Sequence, residues 1–324
     1  MSSPRTILVT GGAGFIGSHI TDRLLEKGYE VGVLDNLFSG NKSNLQDQHS
    51  KGRVKFHVGD ITDFQFVQKV VGDYDVVIHE AAVVSVRRSV ENPQLTNAVN
   101  VGGTMNLLKA AVDSKIQKFI YASSSSVYGD TEVFPKVESL NPSPVSPYGV
   151  SKLAAENYCK TFFKVYGLNT ISLRYFNVYG PRQKYGPYSG VIPTFIKKIV
   201  DNNPPTIFGD GEQTRDFTFV EDVVEANMQC LERNLNGGAV YNIAGGRTVS
   251  INDLARQIAL VLGKPELKPV HGPERKGDIK TSYADIGLAY RELGYKPSFS
   301  LSEGLKRVID WFLAGHQGEW VRME

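Results

Sequence analysis

One short stretch near the start of the chain constrains the fold most, the sequence T-G-G-A-G-F-I-G at positions 10–17. The apolar, β-branched run Thr6–Val9 comes directly before it, and a helical pattern follows it to about position 27. This order predicts a buried parallel strand, a tight turn and the start of a helix. The first two glycines allow a positive φ in the turn, the third lets the backbone approach a bulky anion, and the fourth lets the helix lie close on the strand. The positive N-terminal end of that helix then faces a pyrophosphate.

A carboxylate after the second predicted strand specifies the ligand further. That strand covers Glu30–Leu34 and is followed by Asp35. An acidic residue about 20 positions beyond the glycines is placed to hold the adenosine ribose hydroxyls of a dinucleotide. Because a carboxylate there repels a 2'-phosphate, the sequence predicts NAD as the cofactor in preference to NADP.

Composition disfavours several other classes of protein. The 324 residues suffice for two domains, or for one large domain with an appended lobe. A formal net charge of +2 gives no indication of a nucleic-acid partner. The two cysteines, Cys159 and Cys230, do not suggest a disulfide scaffold and suit a reducing compartment. The N-terminus lacks a signal-peptide pattern and no apolar run approaches about 18 residues, so we expect a cytoplasmic protein without a membrane partner, and no metal site.

Strand-like and helix-like segments alternate through the first part of the chain. This alternation predicts an α/β fold, a Rossmann-type doubly wound parallel sheet with helices on both faces. The predicted strands are Thr6–Val9, Glu30–Leu34, Val54–Val58, Val76–Ile78, Phe119–Ala122 and Thr170–Leu173. Ligands of such sheets bind beyond the carboxyl ends of the strands, so the residues there are predicted to converge on one crevice. These residues are Gly11 to Gly17, Asp35, Asp60, Ala81 to Ser85, Ser123 to Ser126, and Tyr175 to Asn177.

Glycine and proline residues become frequent after Asn177, which indicates loops and short elements. This change predicts a smaller C-terminal α/β lobe that binds the substrate. We predict a NAD-binding domain over residues 1–176, to which residues 219–245 return as a helix and a further strand, Ala239–Ile243. The lobe then consists of residues 177–218 and 246–324, with helices at about 252–262 and 302–314.

Tyr148 and Lys152 begin an amphipathic stretch that runs to about Tyr166. The preceding Ser146-Pro147 predicts a helix start, so both side chains share one face of its first turns. A free tyrosine has a pKa of about 10, and a base near neutral pH needs about 4 kcal/mol of help to ionise. A nearby ammonium and a positive nicotinamide are suitable sources. Tyr148 is therefore a candidate base with Lys152 as its partner.

Six motifs resemble those of the extended short-chain dehydrogenase/reductases, and within them the UDP-hexose 4-epimerases, over nearly the full length. They are T-G-G-A-G-F-I-G at 10–17, D-N at 35–36, H-x-A-A at 79–82, S-S-S-S-V-Y-G at 123–129, S-P-Y-G-x-S-K at 146–152 and R-Y-F-N-V-Y-G at 174–180. The resemblance implies an isomerase that epimerises C4 of a UDP-sugar with NAD, through a transient 4-keto intermediate. It implies Ser124 as the catalytic serine, Tyr148 as the base and Lys152 as its partner.

The same resemblance implies two sets of binding residues. For NAD they are Gly11, Gly14, Phe15, Ile16, Gly17, Asp35, Asn36, Asp60, Ile61, Ala81, Ala82, Asn100, Ser123, Tyr148, Lys152 and Tyr175. For the UDP-sugar they are Ser85, Ser124, Ser125, Tyr148, Asn177, Val191, Phe208, Arg215, Arg275, Asp278 and Ser282. The two arginines are assigned to the diphosphate, which suits them because guanidinium forks donate bidentately.

The residues after the fifth predicted strand distinguish branches of this family. Sugar 4,6-dehydratases have an Asp-Glu pair, and decarboxylases of UDP-glucuronate a glutamate, where this chain has Ser125 and Ser126. The lack of a carboxylate there favours simple epimerisation. UDP-glucuronate 4-epimerases share the serine run and stay an alternative, as does a nucleotide-sugar dehydrogenase or reductase that exchanges NAD with solvent. The intact serine, tyrosine and lysine disfavour a non-catalytic NAD-binding regulator.

One position is expected, by the same resemblance, to set the size of the substrate. Enzymes restricted to unacetylated UDP-glucose and UDP-galactose have a bulky tyrosine where this chain has Ser282. The small side chain leaves space for a 2-acetamido group. We therefore expect UDP-GlcNAc and UDP-GalNAc to be accepted as well as, or in preference to, UDP-Glc and UDP-Gal.

Two patterned helical segments, Val99–Val112 and Leu153–Val165, are candidates for a dimer seam. Both have mixed polar faces. A homodimer is therefore expected.

Overall fold

The computed structural model describes residues 5–186, 189–274 and 280–315, so the predicted substrate residues Arg275 and Asp278 lie outside the described residues. The strands are β1 (Thr6–Thr10), β2 (Glu30–Asp35), β3 (Val54–Val58), β4 (Val76–His79), β5 (Lys118–Ser124), β6 (Thr170–Tyr175), β7 (Val178–Tyr179), β8 (Thr206–Phe208), β9 (Thr214–Arg215), β10 (Thr218–Phe219), β11 (Ala239–Ile243), β12 (Val249–Ser250) and β13 (Val270–Gly272). The α-helices are α1 (Phe15–Glu26), α2 (Gln46–Ser50), α3 (Phe64–Val71), α4 (Val86–Glu91), α5 (Pro93–Asn97), α6 (Thr104–Asp113), α7 (Pro147–Tyr166), α8 (Val191–Val200), α9 (Val220–Glu232), α10 (Ile251–Val261), α11 (Gly287–Leu293) and α12 (Leu301–Leu313).

Seven strands form one parallel sheet in the order β11-β6-β5-β4-β1-β2-β3. The chain moves outward from β1 in one direction to β3 and then returns to the other side at β4, which makes a topological switch point between β1 and β4. Ligands of doubly wound sheets bind beyond the strand ends at this point. The predicted Rossmann-type α/β fold is confirmed.

Apolar side chains cover both faces of this sheet, which explains why its strands read as nearly continuous apolar runs. One face packs against α1 and α9, through residues such as Ile20 and Met228. The other packs against α3, α6 and α7, through residues such as Val67, Leu107 and Cys159. The strand ends are thereby held rigidly enough to position a site.

A separate apolar cluster joins α8, α10 and α12, through Ile196, Ile258 and Val308. Short two-stranded sheets, β10-β7, β12-β9 and β13-β8, accompany these helices. Most of the cluster comes from the segments predicted for the smaller lobe, but Phe219 and Val220, predicted for the NAD-binding domain, are also part of it. The helix α11 also lies in those segments, but Ala289 and Leu293 pack into the core of the large sheet beside β11. Its apolar face covers an edge strand that would otherwise face water.

Within the described ranges, no helix is both long and apolar enough to cross a membrane. The same residues contain no cluster of three or more histidine, cysteine, aspartate or glutamate side chains that could hold a metal ion.

Candidate active site

The glycine turn between β1 and α1 is a cradle with no room for side chains. Gly11 has a φ of 69°, and a Cβ there would lie 2.7 Å from the backbone nitrogen of Ala81. A Cβ on Gly17 would lie 2.3 Å from the carbonyl oxygen of Gly11. The turn can fold this tightly only with glycines, and it leaves the first amides of α1 pointing beyond the sheet edge. These features fit the pyrophosphate of a dinucleotide.

A cavity of about 470 Å³ extends from this turn along the carboxyl ends of the strands. The structure brings together along its wall every residue predicted for NAD except Asn100. They are Gly11, Gly14, Phe15, Ile16, Gly17, Asp35, Asn36, Asp60, Ile61, Ala81, Ala82, Ser123, Tyr148, Lys152 and Tyr175. Four predicted features therefore line the same cavity: the glycine turn, the acidic strand end, the serine run and the tyrosine–lysine pair.

Asn100 is placed behind the cavity wall. Its side chain is buried, accepts a hydrogen bond from the Val83 amide at 2.8 Å, and donates to the Val83 carbonyl and to Ser151. The Asn100 side-chain amide is therefore used in holding Val83 and Ser151. Val83, and not Asn100, lines the cavity.

Asp35 lies at the far end of the cavity from the tyrosine–lysine pair. Its carboxylate accepts hydrogen bonds from the amides of Ala13 at 3.0 Å and Leu37 at 2.8 Å. Burial raises the pKa of this carboxyl group, and the two amide bonds act against that rise. Each oxygen keeps a second lone pair, so the group can still accept from ribose hydroxyls.

Ser124, Tyr148 and Lys152 meet where β5 ends and α7 begins. Ser146 caps the helix by accepting from the Gly149 amide, and Pro147 occupies its first turn. The predicted helix start is therefore in place. Ser123 and Ser124 belong to β5 itself, paired in register with β6, because the strand continues past the apolar run. The Lys152 ammonium donates to the Ala122 carbonyl at 2.7 Å, which fixes it beneath the cavity.

The net effect of the protein on the pKa of Tyr148 is a rise. Burial raises it, a hydrogen bond with Ser124 lowers it, and the negative charge of Glu80 raises it. Burial has the largest effect, because a buried phenolate loses its hydration, and the lowering expected from the neighbouring ammonium is not among the influences on this group. Burial likewise lowers the pKa of Lys152, and Glu80 opposes that effect.

A second cavity of about 460 Å³ adjoins the first. Asn177 lines both cavities, and Val191, Phe208 and Arg215 line the second. The Asn177 side chain donates to the Asp216 carbonyl at 2.9 Å, with a φ of 31° at Asn177. An apolar wall with a guanidinium at its edge suits a ligand that has both a flat apolar part and an anionic part.

The other predicted substrate residues lie at the margins. Ser125 lines the first cavity. Ser85 lines a third, adjacent cavity and caps α4 by accepting from the Arg88 amide. Ser282 lines none of these three cavities; it is buried beside β9, and its amide donates to the Thr214 carbonyl at 3.1 Å.

Sequence reasoning missed Glu80, Val178 and Gln183, all of which line the first cavity. Glu80 carried a signal, since it is an acidic residue directly after the apolar strand V-V-I-H, at the sheet edge where ligands bind. Val178 belongs to the motif R-Y-F-N-V-Y-G at 174–180, whereas Gln183 carried no signal, because it follows that motif in a loop.

Comparisons with known proteins agree with this geometry. The sequence profile described as "NAD dependent epimerase/dehydratase family" matches residues 7–244. The UDP-glucose 4-epimerase of Mycolicibacterium smegmatis is 37% identical, over 94% of this chain and 97% of its own length. The UDP-N-acetylglucosamine 4-epimerase from Methanobrevibacter ruminantium M1, solved with UDP-N-acetylmuramic acid, is 39% identical with a TM-score of 0.91, over 96% of this chain and 99% of its own. The UDP-glucuronic acid 4-epimerase from Bacillus cereus, solved with UDP-glucuronic acid and NAD, is 37% identical with a TM-score of 0.89, over 95% and 99%.

Proposed function

This chain belongs to the NAD dependent epimerase/dehydratase family, and we infer that within it the protein is a UDP-sugar 4-epimerase, an isomerase that uses NAD. The observation that carries this inference is the cavity itself. Ser124, Tyr148 and Lys152 line the same space as the glycine turn, and Asn177 connects that space to the second cavity with Arg215. A dinucleotide and a nucleotide sugar can therefore meet at the tyrosine.

The residues of this chain have separable tasks in the reaction. NAD, which the glycine turn, Asp35 and Lys152 would hold, would supply a hydride acceptor and donor for C4 of the sugar. Tyr148 takes the proton of the 4-hydroxyl group and gives it back, and Ser124 orients that hydroxyl. Lys152 keeps a positive charge beneath the tyrosine. The sugar ends with inverted C4 and no net oxidation.

The serine run supports epimerisation over elimination of water. Ser125 and Ser126 line the cavity next to Ser124, and neither side chain can act as the additional carboxylic acid that the dehydratase and decarboxylase branches use. Hydroxyl groups have no ionisable proton near neutral pH.

The inference is tested with the purified protein. Bound nicotinamide is released by denaturation and identified, and UDP-sugars are incubated with the native protein and their products separated. We expect interconversion of C4 epimers without consumption of added NAD. Steady reduction of free NAD, with an oxidised sugar as product, would instead identify a dehydrogenase.

We further propose that the enzyme accepts the N-acetylated sugars UDP-GlcNAc and UDP-GalNAc. The small Ser282 side chain supports this proposal. It lies beside β9, the strand that contains Arg215. The Methanobrevibacter relative, whose substrate is acetylated by name, adds to it. The glucuronate enzyme of Bacillus cereus is nearly as similar, so UDP-glucuronate is the alternative, and its conversion in the same assay would favour it.

Replacing Ser282 with tyrosine is expected to reduce kcat/KM for UDP-GlcNAc by about 10-fold to 200-fold, because the ring would occupy the space of the acetamido group. The value for UDP-galactose should change by less than about threefold. Ser282→Ala, which stays small, is the control and should leave the ratio of the two values unchanged. Equal losses on both substrates in the tyrosine variant would contradict the proposal.

We also propose a homodimer, joined along α6 and α7. These adjacent helices expose Met105, Val150 and Tyr158, which are 40%, 53% and 37% accessible. Exposed apolar side chains on adjacent helices are typical of an interface between copies. Light scattering should give twice the chain mass of 35.7 kDa.

Tyr158→Arg is expected to give single chains, because it places an unpaired charge in the proposed seam. Tyr290→Arg, at an exposed position on α11, is the control and should leave the mass at that of a dimer. A dimer mass in both variants would place the interface elsewhere.

A further inference from the structure

A carboxylate with no task in the reaction described above lies in the catalytic cavity. Glu80 follows β4, and its amide donates to the Thr10 carbonyl at 3.1 Å, which fixes its backbone at the sheet edge. Its side chain lines the cavity together with Tyr148 and Lys152. A carboxylate placed among apolar groups is costly unless other groups stabilise its charge, so its partners are informative.

A chain of hydrogen bonds ends on Glu80. The Tyr175 hydroxyl donates to its Oε1 at 2.7 Å, and the Asn227 amide nitrogen donates to the Tyr175 hydroxyl at 2.8 Å. The same amide nitrogen donates to the Val223 carbonyl at 2.9 Å, and a carbonyl can only accept, so the orientation of the amide is fixed. The single proton of the Tyr175 hydroxyl is therefore directed at Glu80. The chain begins on α9 and ends on an acceptor in the cavity.

The charges around Glu80 are few. Glu80 interacts electrostatically with Lys152 and Tyr148, both on α7, and it accepts a hydrogen bond from Tyr175 on β6. Lys152 also faces His79, Tyr121 and Cys159. Burial lowers the pKa of His79 to about 3 and raises those of Tyr121 and Cys159 well above their usual values, so these three groups are neutral near pH 7. Burial raises the pKa of Glu80 to about 7, while the Tyr175 hydrogen bond and the positive charge of Lys152 act against that rise. Among the groups named here, Glu80 and Lys152 therefore form the charged pair at pH values above about 7.

We propose that Glu80 is a positioning residue of the active site, whose ionised carboxylate keeps Lys152 in its ammonium form and acts through space on the protonation of Tyr148. The hydrogen-bonded chain from Asn227 and Tyr175 holds the carboxylate in place and favours its charged form. The proposal rests on the proposed function only in taking Tyr148 as the base.

Removing one negative charge lowers the pKa of every nearby group, because a positive charge becomes harder to keep and a negative charge easier to form. Glu80 raises the pKa of both Lys152 and Tyr148. In a variant without this charge, both groups lose their protons at lower pH. Both limbs of a pH–rate profile should then move in the same direction, toward acid.

Glu80→Gln is the matched change, since glutamine keeps the shape and the acceptor oxygen but cannot ionise. The holoenzyme is titrated through the tyrosinate absorbance, and the curve of the corresponding Tyr148→Phe protein is subtracted to isolate Tyr148. We expect its ionisation constant to rise about threefold or more. The pH–rate profile should shift to lower pH by a matching amount.

Glu138→Gln is the control. Glu138 is likewise half-buried and accepts a hydrogen bond from the Asn242 amide at 2.8 Å, but it lies outside the cavity. Its removal should leave both titration and profile in place. A Glu80→Gln curve that superimposes on that of the wild type, or an equal shift in Glu138→Gln, overturns the proposal.

Glu80→Ala provides a second route if Glu80→Gln does not fold. It removes the same negative charge with a smaller side chain, so the pKa of Tyr148 should shift in the same direction, and no shift overturns the proposal. The titration needs no UDP-sugar. A failure of the proposed function would therefore be seen in the turnover assay, and a failure of this proposal in the titration.

Discussion

Replacing Tyr148 with phenylalanine is expected to lower kcat for UDP-sugar epimerisation by about 100-fold to 10,000-fold. The change removes one oxygen atom, the atom that exchanges a proton with the sugar 4-hydroxyl. It leaves the ring in the cavity, where the end of β5 and the first turns of α7 meet. The loss should therefore fall on kcat, with bound NAD and the melting temperature close to those of the wild type.

Tyr166→Phe is the matched control for that experiment. Tyr166 is the last residue of the same helix and is 55% accessible, so its hydroxyl is remote from the cavity. We expect its kcat to stay within about twofold of the wild type. If Tyr148→Phe also kept its activity within twofold, the role of Tyr148 as the base would be refuted.

Replacing Gly17 with alanine is expected to abolish most of the retention of NAD. The added Cβ would lie 2.3 Å from the Gly11 carbonyl oxygen, a backbone atom that cannot turn aside as a side chain would. Relief requires α1 to move away from the turn, at a cost of about 1–3 kcal/mol in strain. The same movement displaces the helix N-terminus that faces the pyrophosphate. We expect the purified variant to contain less than about a tenth of the NAD of the wild type.

Gly72→Ala is the control for the glycine experiment. Gly72 ends α3 with a φ of −60°, and the nearest atom to a Cβ there is 3.7 Å away, so alanine fits without strain. Its NAD content and melting temperature should equal those of the wild type. NAD retention in Gly17→Ala equal to that in Gly72→Ala would show that close packing at the turn is not needed for the cofactor.

The central sheet could be predicted because its information is local. Strands buried on both faces read as apolar runs, and each predicted strand appears in the structure with ends that differ by at most a few residues. The rule that parallel strands present their carboxyl ends at one edge then brings Asp35, Ser124 and Tyr175 into one cavity, without knowledge of any contact.

The position of α11 shows where that reasoning ends. No helix is predicted over these residues, and packing against the edge strand β11 decides which apolar cluster α11 joins. Asn100 is a similar case. An asparagine at this position is suited to line a cavity. Its side-chain amide instead forms hydrogen bonds with Val83 and Ser151, which are close to it only in the folded chain.

The sequence by itself determined the parallel sheet, the glycine cradle, the acidic strand end and the serine, tyrosine and lysine of the site, because each depends on neighbours within a few residues or on the common edge of the sheet. Only the tertiary structure decided the charges of that site. The hydrogen bond between Tyr175 and Glu80 joins residues 95 positions apart, and that between Asn227 and Tyr175 joins residues 52 apart. Burial and through-space charge depend on such distant partners, so the protonation of Tyr148 and Lys152 is a property of the fold.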